Sequence, residues 1–193
     1  MSVMSNQLRI SKEWEEAIID WMIADIKEKD FLTENTGILQ LSAEYSGILA
    51  VNLSHKLSRR GKPLPIEVIK IPLVSEFKLE ISQDILDRYS RLIIADSGCM
   101  SGNNFKNVCK ILLDYGFKRE SLLFVCCACN TDSIFKPDIC PVYFPLKRLM
   151  LQFDWECKTN IWDQSTKFDQ QERYELPVKQ MIFSSNGTNG TKE

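Results

Sequence analysis

Short apolar runs alternate along this chain with longer stretches in which apolar residues recur at helical spacing, and this pattern predicts most of its elements. From residue 11 to 29 the apolar positions Trp14, Ile18, Ile19, Trp21, Met22, Ile23 and Ile26 share one face of a helix. Ser11 stands at its start, Glu13, Glu15 and Glu16 fill the first turn, and Lys27 and Lys29 fill the last. Such a face is expected to pack on a sheet, with a partner groove as the alternative that two tryptophans leave open. Gly37 to Leu41 reads as a strand, and Ile48 to Arg60 as a helix carrying Leu49, Leu53 and Leu57. Ile66 to Ile71 is apolar and β-branched, and Pro72 ends it. Residues 73 to 82 largely alternate and predict a β-arm, and Asp84 to Arg88 a short helical turn.

Leu92 to Ala95 is a buried-strand run, followed from Asn103 by a helical stripe of Phe105, Val108, Cys109, Leu112 and Leu113 with Gly116 as stop. Glu120 to Cys129 reads as a further buried strand. Strands joined by helices predict an α/β fold, a Rossmann-like parallel sheet with helices on both faces. Ligands of such sheets bind beyond the carboxyl ends of the strands.

Charge and cysteine usage narrow the partners. With 24 basic and 26 acidic side chains the net charge is −2, which gives no strong nucleic-acid signal. No apolar run nears the roughly 20 residues that span a bilayer. Seven cysteines without a signal-peptide pattern suggest a reduced, cytoplasmic protein. Cys126, Cys127 and Cys129 cluster on one strand, where neighbours point to opposite faces, so burial rather than a metal site is expected. His55, the only histidine, reads as a surface residue of its helix. Residues 1–156 are expected to form the domain and 157–183 a C-terminal extension that packs or contacts a subunit. Residues 184–193, rich in Gly, Ser, Asn and Thr, are expected to be a disordered tail.

The candidate chemistry lies in Arg91-Leu-Ile-Ile-Ala-Asp96-Ser-Gly-Cys-Met-Ser101-Gly-Asn-Asn-Phe105. An apolar run ends on a carboxylate, and a small-residue loop from Ser97 to Asn104 then opens a helix whose first N–H groups are unpaired. Gly98 and Gly102 permit close approach of an anion to that backbone. A second loop of this kind, Ser42-Ala-Glu-Tyr-Ser-Gly47, joins the first strand to its helix.

The central stretch resembles the phosphoribosyl-diphosphate (PRPP) motif of the type I phosphoribosyltransferases, a glycosyltransferase family, and in particular the purine-type members. Lys136-Pro-Asp138 followed by Ile139 to Phe144 is similar to the entry into the last core strand of that family, and Leu151-Gln-Phe-Asp-Trp155-Glu156 to its terminal segment, which extends the resemblance from about residue 36 to 156. The resemblance implies that Ser101, Gly102, Asn103 and Asn104 hold a 5′-phosphate, with Ser97 and Gly98 alongside. It also implies that Asp96 meets a ribose hydroxyl or a metal, that pyrophosphate lies near Glu44 and Tyr45, and that a purine stacks near Phe144 or Trp155. Mg2+ is the one cofactor it leaves open.

Three departures from the motif bear on activity. Ser97 replaces the second acid, Met100 stands where many members carry a carboxylate proposed as base, and Glu44 occupies the pyrophosphate loop. Asp96 and Glu44 remain as the candidate catalytic carboxylates. The expectation is a divergent member binding PRPP or a nucleotide, a pseudoenzyme with reduced or lost transfer and a role in sensing or in a complex, with a protein partner or a homodimer. An active purine-type transferase or nucleotide N-glycosidase, and an interaction module with a vestigial pocket, are the alternatives.

Overall fold

A computed structural model describes residues 6–41, 46–69, 81–145 and 149–153 of the 193. Five strands form one all-parallel sheet in the order β3-β2-β4-β5-β6: β2 (Thr36–Leu41), β3 (Ile66–Ile69), β4 (Arg91–Cys99), β5 (Leu122–Asn130) and β6 (Val142–Phe144). β1 (Asn6–Ile10) and β7 (Leu149–Phe153), from opposite ends of the described chain, pair in parallel as a separate two-stranded sheet. Helices α1 (Lys12–Glu28), α2 (Ser46–Lys56), α3 (Gln83–Arg88) and α4 (Asn103–Asp114) supply the connections and the layers.

The sheet separates two cores because alternate residues of each strand point to opposite faces. Ile38, Ile93, Ala95, Leu123 and Val125 meet Ile19, Met22 and Ile26 of α1 and Leu49 and Leu53 of α2. Leu39, Leu92, Ile94 and Phe124 meet Phe105, Val108 and Leu112 of α4 and Leu86 of α3. Trp14 and Trp21 pack partly buried against the first core, so α1 turns its apolar face to the sheet. All nine residues of β5 are buried, as its apolar run requires of a strand flanked by β4 and β6 and covered on both faces.

Several boundaries differ from the sequence reading. α2 ends at Lys56 because the chain turns back on itself, Arg59 and Lys62 exchanging N–H···O bonds around Arg60 and Gly61 in positive φ. β4 runs on through Asp96, Ser97 and Gly98 to Cys99, since pairing with β5 continues at Asp96↔Cys126, Gly98↔Ala128 and Cys99↔Cys129. The last sheet strand is only Val142–Phe144, preceded by a single bridge from Ile139 to Val125. The β-arm expected over residues 73 to 82 lies mainly outside the described residues, as do the divisions at 157 and 184. Among the described residues no helix is long and apolar enough to cross a membrane.

Candidate functional site

β2 lies between β3 and β4, so the chain leaves β2 toward one side of the sheet and returns to its other side as β4. That reversal opens a crevice at the carboxyl ends of β2 and β4. Gln40 and Ala95 are the last paired residues there, which puts Asp96 at the lip. The start of α2 is close by: the Gln40 side-chain amide lies 3.5 Å from where a Cβ on Gly47 would stand. Gln40 is thus a polar group at the crevice that the strand pattern alone did not single out.

With β4 extended to Cys99, the loop before α4 shrinks to Met100, Ser101 and Gly102. Gly102 is the N-cap residue and has φ 84°, a left-handed conformation that costs other residues energy. A Cβ there would meet Ser133 Oγ at 2.5 Å and the Phe135 nitrogen at 2.6 Å. The turn after β5 therefore presses against the back of the loop, and the Ile134 N–H donates to the Ser101 carbonyl at 3.0 Å. Phe135 fixes that turn, its ring lying 5.7 Å from Phe105 and 4.8 Å from Phe124. On the open side Ser101 and Asn103 are exposed and Asn104 is half-buried, and the Asn103 N–H reaches the Ser101 hydroxyl at 3.3 Å. The next N–H groups, of Asn104 and Phe105, belong to the first helical turn, which has no carbonyl of its own to bond. This arrangement can receive an anion.

Asp96 is half-buried, and Ser97 and Gly98 beside it are also only partly covered. Burial raises the Asp96 pKa to about 7, and the backbone N–H groups of Gly98 and Ser97 hold it back in part. Near neutral pH it is divided between carboxylate and carboxylic acid, so it can accept or donate a hydrogen bond. Met100, 42 % exposed, has its methyl group 3.5 Å from where a Cβ on Gly98 would stand.

The other predicted residues fall differently. Phe144 is 1 % exposed within the first core and offers no ring face to a ligand. Its neighbour Tyr143 points the other way, is 45 % exposed, and has the Lys136 ammonium 5.9 Å from its ring centre. The end of the strand pattern placed an aromatic here, and burial decides which of the two is available. Glu44, Tyr45 and Trp155 lie outside the described residues. Asp138 is held at the opposite end of β5 by Arg119 at 2.6 Å and by the Phe124 N–H at 2.8 Å, away from the crevice.

Cys99, Cys126, Cys129 and Cys140 come together in the second core beneath this site. Strict alternation would have put Cys126 and Cys129 on opposite faces. The alternation slips between them, Cys127 and Ala128 both packing in the first core while the paired positions pass directly from Asp96↔Cys126 to Gly98↔Ala128. Burial raises the Cys126 thiol to about 12, and its hydrogen bond with Cys140 and burial raise Cys129 to about 11. Protonated thiols are poor ligands and poor nucleophiles. Among the described residues no group of three or more His, Cys, Asp or Glu is placed to hold a metal ion.

No protein-family model matches this chain, and no curated protein matches it either. Solved structures do. The purine phosphoribosyltransferase from Pyrococcus horikoshii Ot3 superposes with a TM-score of 0.61 at 20 % identity, over 78 % of this chain and 94 % of that one. The fold is phosphoribosyltransferase-like. The Helicobacter pylori xanthine-guanine-hypoxanthine phosphoribosyltransferase gives 0.56 at 17 % identity, with the same coverage of both chains. In this phosphoribosyltransferase-like fold Asp96 and the Ser101-Gly102 turn occupy the junction of the third sheet strand in chain order with its helix, at the crevice where the strand order reverses.

Mg2+ is the cofactor that the resemblance left open, and the donors at the junction can be tested against it. Hard divalent cations take oxygen ligands, preferably carboxylates. From Leu92 to Phe105 the only carboxylate is Asp96, and the thioether of Met100 is a poor match. Mg2+ ordinarily takes one or two carboxylates from a protein and completes its shell with substrate phosphates and water, so Asp96 is the described residue that would hold it.

Proposed function

We propose that this chain binds a ribose 5-phosphate type of ligand, PRPP or a nucleotide, at the β4–α4 junction, with transferase activity reduced or lost and a role in sensing or as a subunit of a complex. One observation carries the reading. Gly102 holds a left-handed turn against the Ser133 and Phe135 backing, so that the first turn of α4 opens onto the crevice at the strand ends. Ser101 and Asn104 side chains and the Asn104 and Phe105 N–H groups would hold the phosphate, and the macrodipole of a 12-residue helix adds to the attraction. Asp96, at the lip, would meet a ribose hydroxyl. The weakened catalytic set follows from Ser97 and Met100, which supply no negative charge to an oxocarbenium-like transition state. The likeness to purine phosphoribosyltransferases supports the fold on which this reading stands.

Asn104→Asp separates binding from folding. A carboxylate in the first turn of α4 favours the helix dipole, so the melting temperature should hold or rise slightly. The same carboxylate repels a phosphate. Calorimetric titration with ribose 5-phosphate is expected to show saturable binding to the wild type, and affinity lower by about tenfold or more in the variant, equivalent to about 1.4 kcal/mol. Equal affinity in both proteins, or none in the wild type, contradicts the proposal.

A further inference from the structure

After α2 the chain reverses within two residues. The Arg59 N–H donates to the Lys62 carbonyl at 3.0 Å, the Lys62 N–H donates to the Arg59 carbonyl at 2.8 Å, and Arg60 and Gly61 between them have φ 50° and 75°. A two-residue turn with positive φ at both centres favours Asn, Asp or Gly at the first of them. Arginine is a strained residue there, and with its side chain 88 % exposed little packing offsets the strain.

We propose that this turn docks a short acidic segment of a partner protein, held by the side chains of Arg59, Arg60 and Lys62. All three are exposed, as is Lys56 before them. The turn sits beside the loop that leads into β2, where Arg59 Nη1 donates to the Leu32 carbonyl at 3.3 Å and Arg60 lies 3.4 Å from Glu34. That is the amino end of the sheet, opposite the crevice at its carboxyl end, so this contact is independent of the ligand reading above.

The fold leaves these cations largely uncompensated. Among the described residues no carboxylate pairs with Arg59 or Lys62. Arg60 has Glu34, but both side chains of that pair are mostly exposed and water screens it. Each guanidinium can take a carboxylate through two parallel N–H bonds, and the hydrogen-bonded turn fixes the backbone from which the cations project, which lowers the ordering cost of binding. The size of the occupant follows from what borders the turn. Asp20, paired with Lys56, and Glu34 stand at its margins and would repel an extended polyanion such as a nucleic-acid backbone, whereas a few consecutive carboxylates fit between them.

The test is fluorescence anisotropy of a labelled hexaglutamate peptide titrated with the full chain at low ionic strength. The expected result is saturable binding whose affinity falls about threefold or more in Arg60→Asn and in Lys62→Gln, and is unchanged in Lys110→Gln, which removes an exposed cation of α4. Asparagine suits the positive φ at position 60, so the melting temperature of Arg60→Asn should hold or rise by a few degrees, and a weaker affinity then reads the lost side chain and not a lost turn. No saturable binding to the wild type, equal affinity in Arg60→Asn, an equal loss in Lys110→Gln, or tighter binding of a single-stranded RNA of the same length overturns the inference. So does a lower melting temperature in Arg60→Asn, which would mean that Arg60 serves the fold through Glu34.

Discussion

Gly102→Ala is expected to destabilise the protein by about 3 kcal/mol, of which about 1–2 is the left-handed backbone conformation and the rest the forced displacement of the turn behind it. The second part is specific to this position. A Cβ at Gly102 would overlap Ser133 Oγ and the backbone nitrogen of Phe135, and backbone cannot step aside as a flexible side chain can. Phe135 in turn is wedged between Phe105 and Phe124, so a shift there disturbs the packing of α4 on the sheet. Gly61 and Gly116 provide the comparison: both have positive φ, 75° and 102°, and neither has an atom within 4 Å of a built Cβ. Alanine at either should cost about 1–2 kcal/mol, by conformation alone. Urea unfolding of the three variants measures the difference. A Gly102→Ala cost no larger than that of Gly61→Ala would mean that the loop is not braced by the 131–135 turn.

The second large effect is on the pH dependence of stability. The Asp96 pKa rises from 3.8 to about 7 on folding because burial penalises the carboxylate. The folded state therefore holds this proton more tightly than the unfolded state. Its stabilising contribution is complete below about pH 4 and is lost as pH rises through about 7. Asp96→Asn removes the titration while keeping an oxygen acceptor for the Ser97 and Gly98 N–H groups. Relative to the variant, the wild type should lose up to about 4 kcal/mol between about pH 4 and pH 8. Denaturant unfolding at intervals across that range gives the two curves. Parallel curves would show that the Asp96 carboxyl is solvated at the strand end.

The two βα units around the crevice were legible because each is a local pattern. An apolar run, a small-residue turn and an amphipathic stripe gave β2 with α2 and β4 with α4 to within a few residues. Gly116, read as a stop, ends α4 in positive φ. What the sequence left hidden depends on partners distant along the chain. β1 and β7 are five residues each, and their pairing joins opposite ends of the described chain, so neither carries a signal until the other is beside it. β4 appeared to stop at Ala95 because Asp96, Ser97 and Gly98 are poor strand formers, yet the fully buried β5 alongside keeps their backbone paired to Cys99.

The site shows the same division. The position of Asp96 and residues 97–104 between a strand and a helix was legible from spacing, because strand, turn and helix follow one another directly. The bracing of Gly102 by residues 133–135 was not, since it arises only when the turn after β5 folds against the loop. The choice between Tyr143 and Phe144 turns on which side of a three-residue edge strand faces the core. The gathering of Cys99, Cys126, Cys129 and Cys140 depends on a slip in alternation that periodicity cannot anticipate. Their burial matches the structural role read for the 126–129 cluster.

The central claim is that the start of α4 receives a sugar phosphate. Nitrogen-15 correlation spectra recorded during titration with guanosine 5′-monophosphate test it at the level of single amides. The account predicts saturable shifts concentrated on the backbone N–H groups of Gly102, Asn103, Asn104 and Phe105, with smaller ones at Ser97 and Gly98. Unchanged spectra at saturating nucleotide, or shifts confined to residues away from this junction, would contradict it.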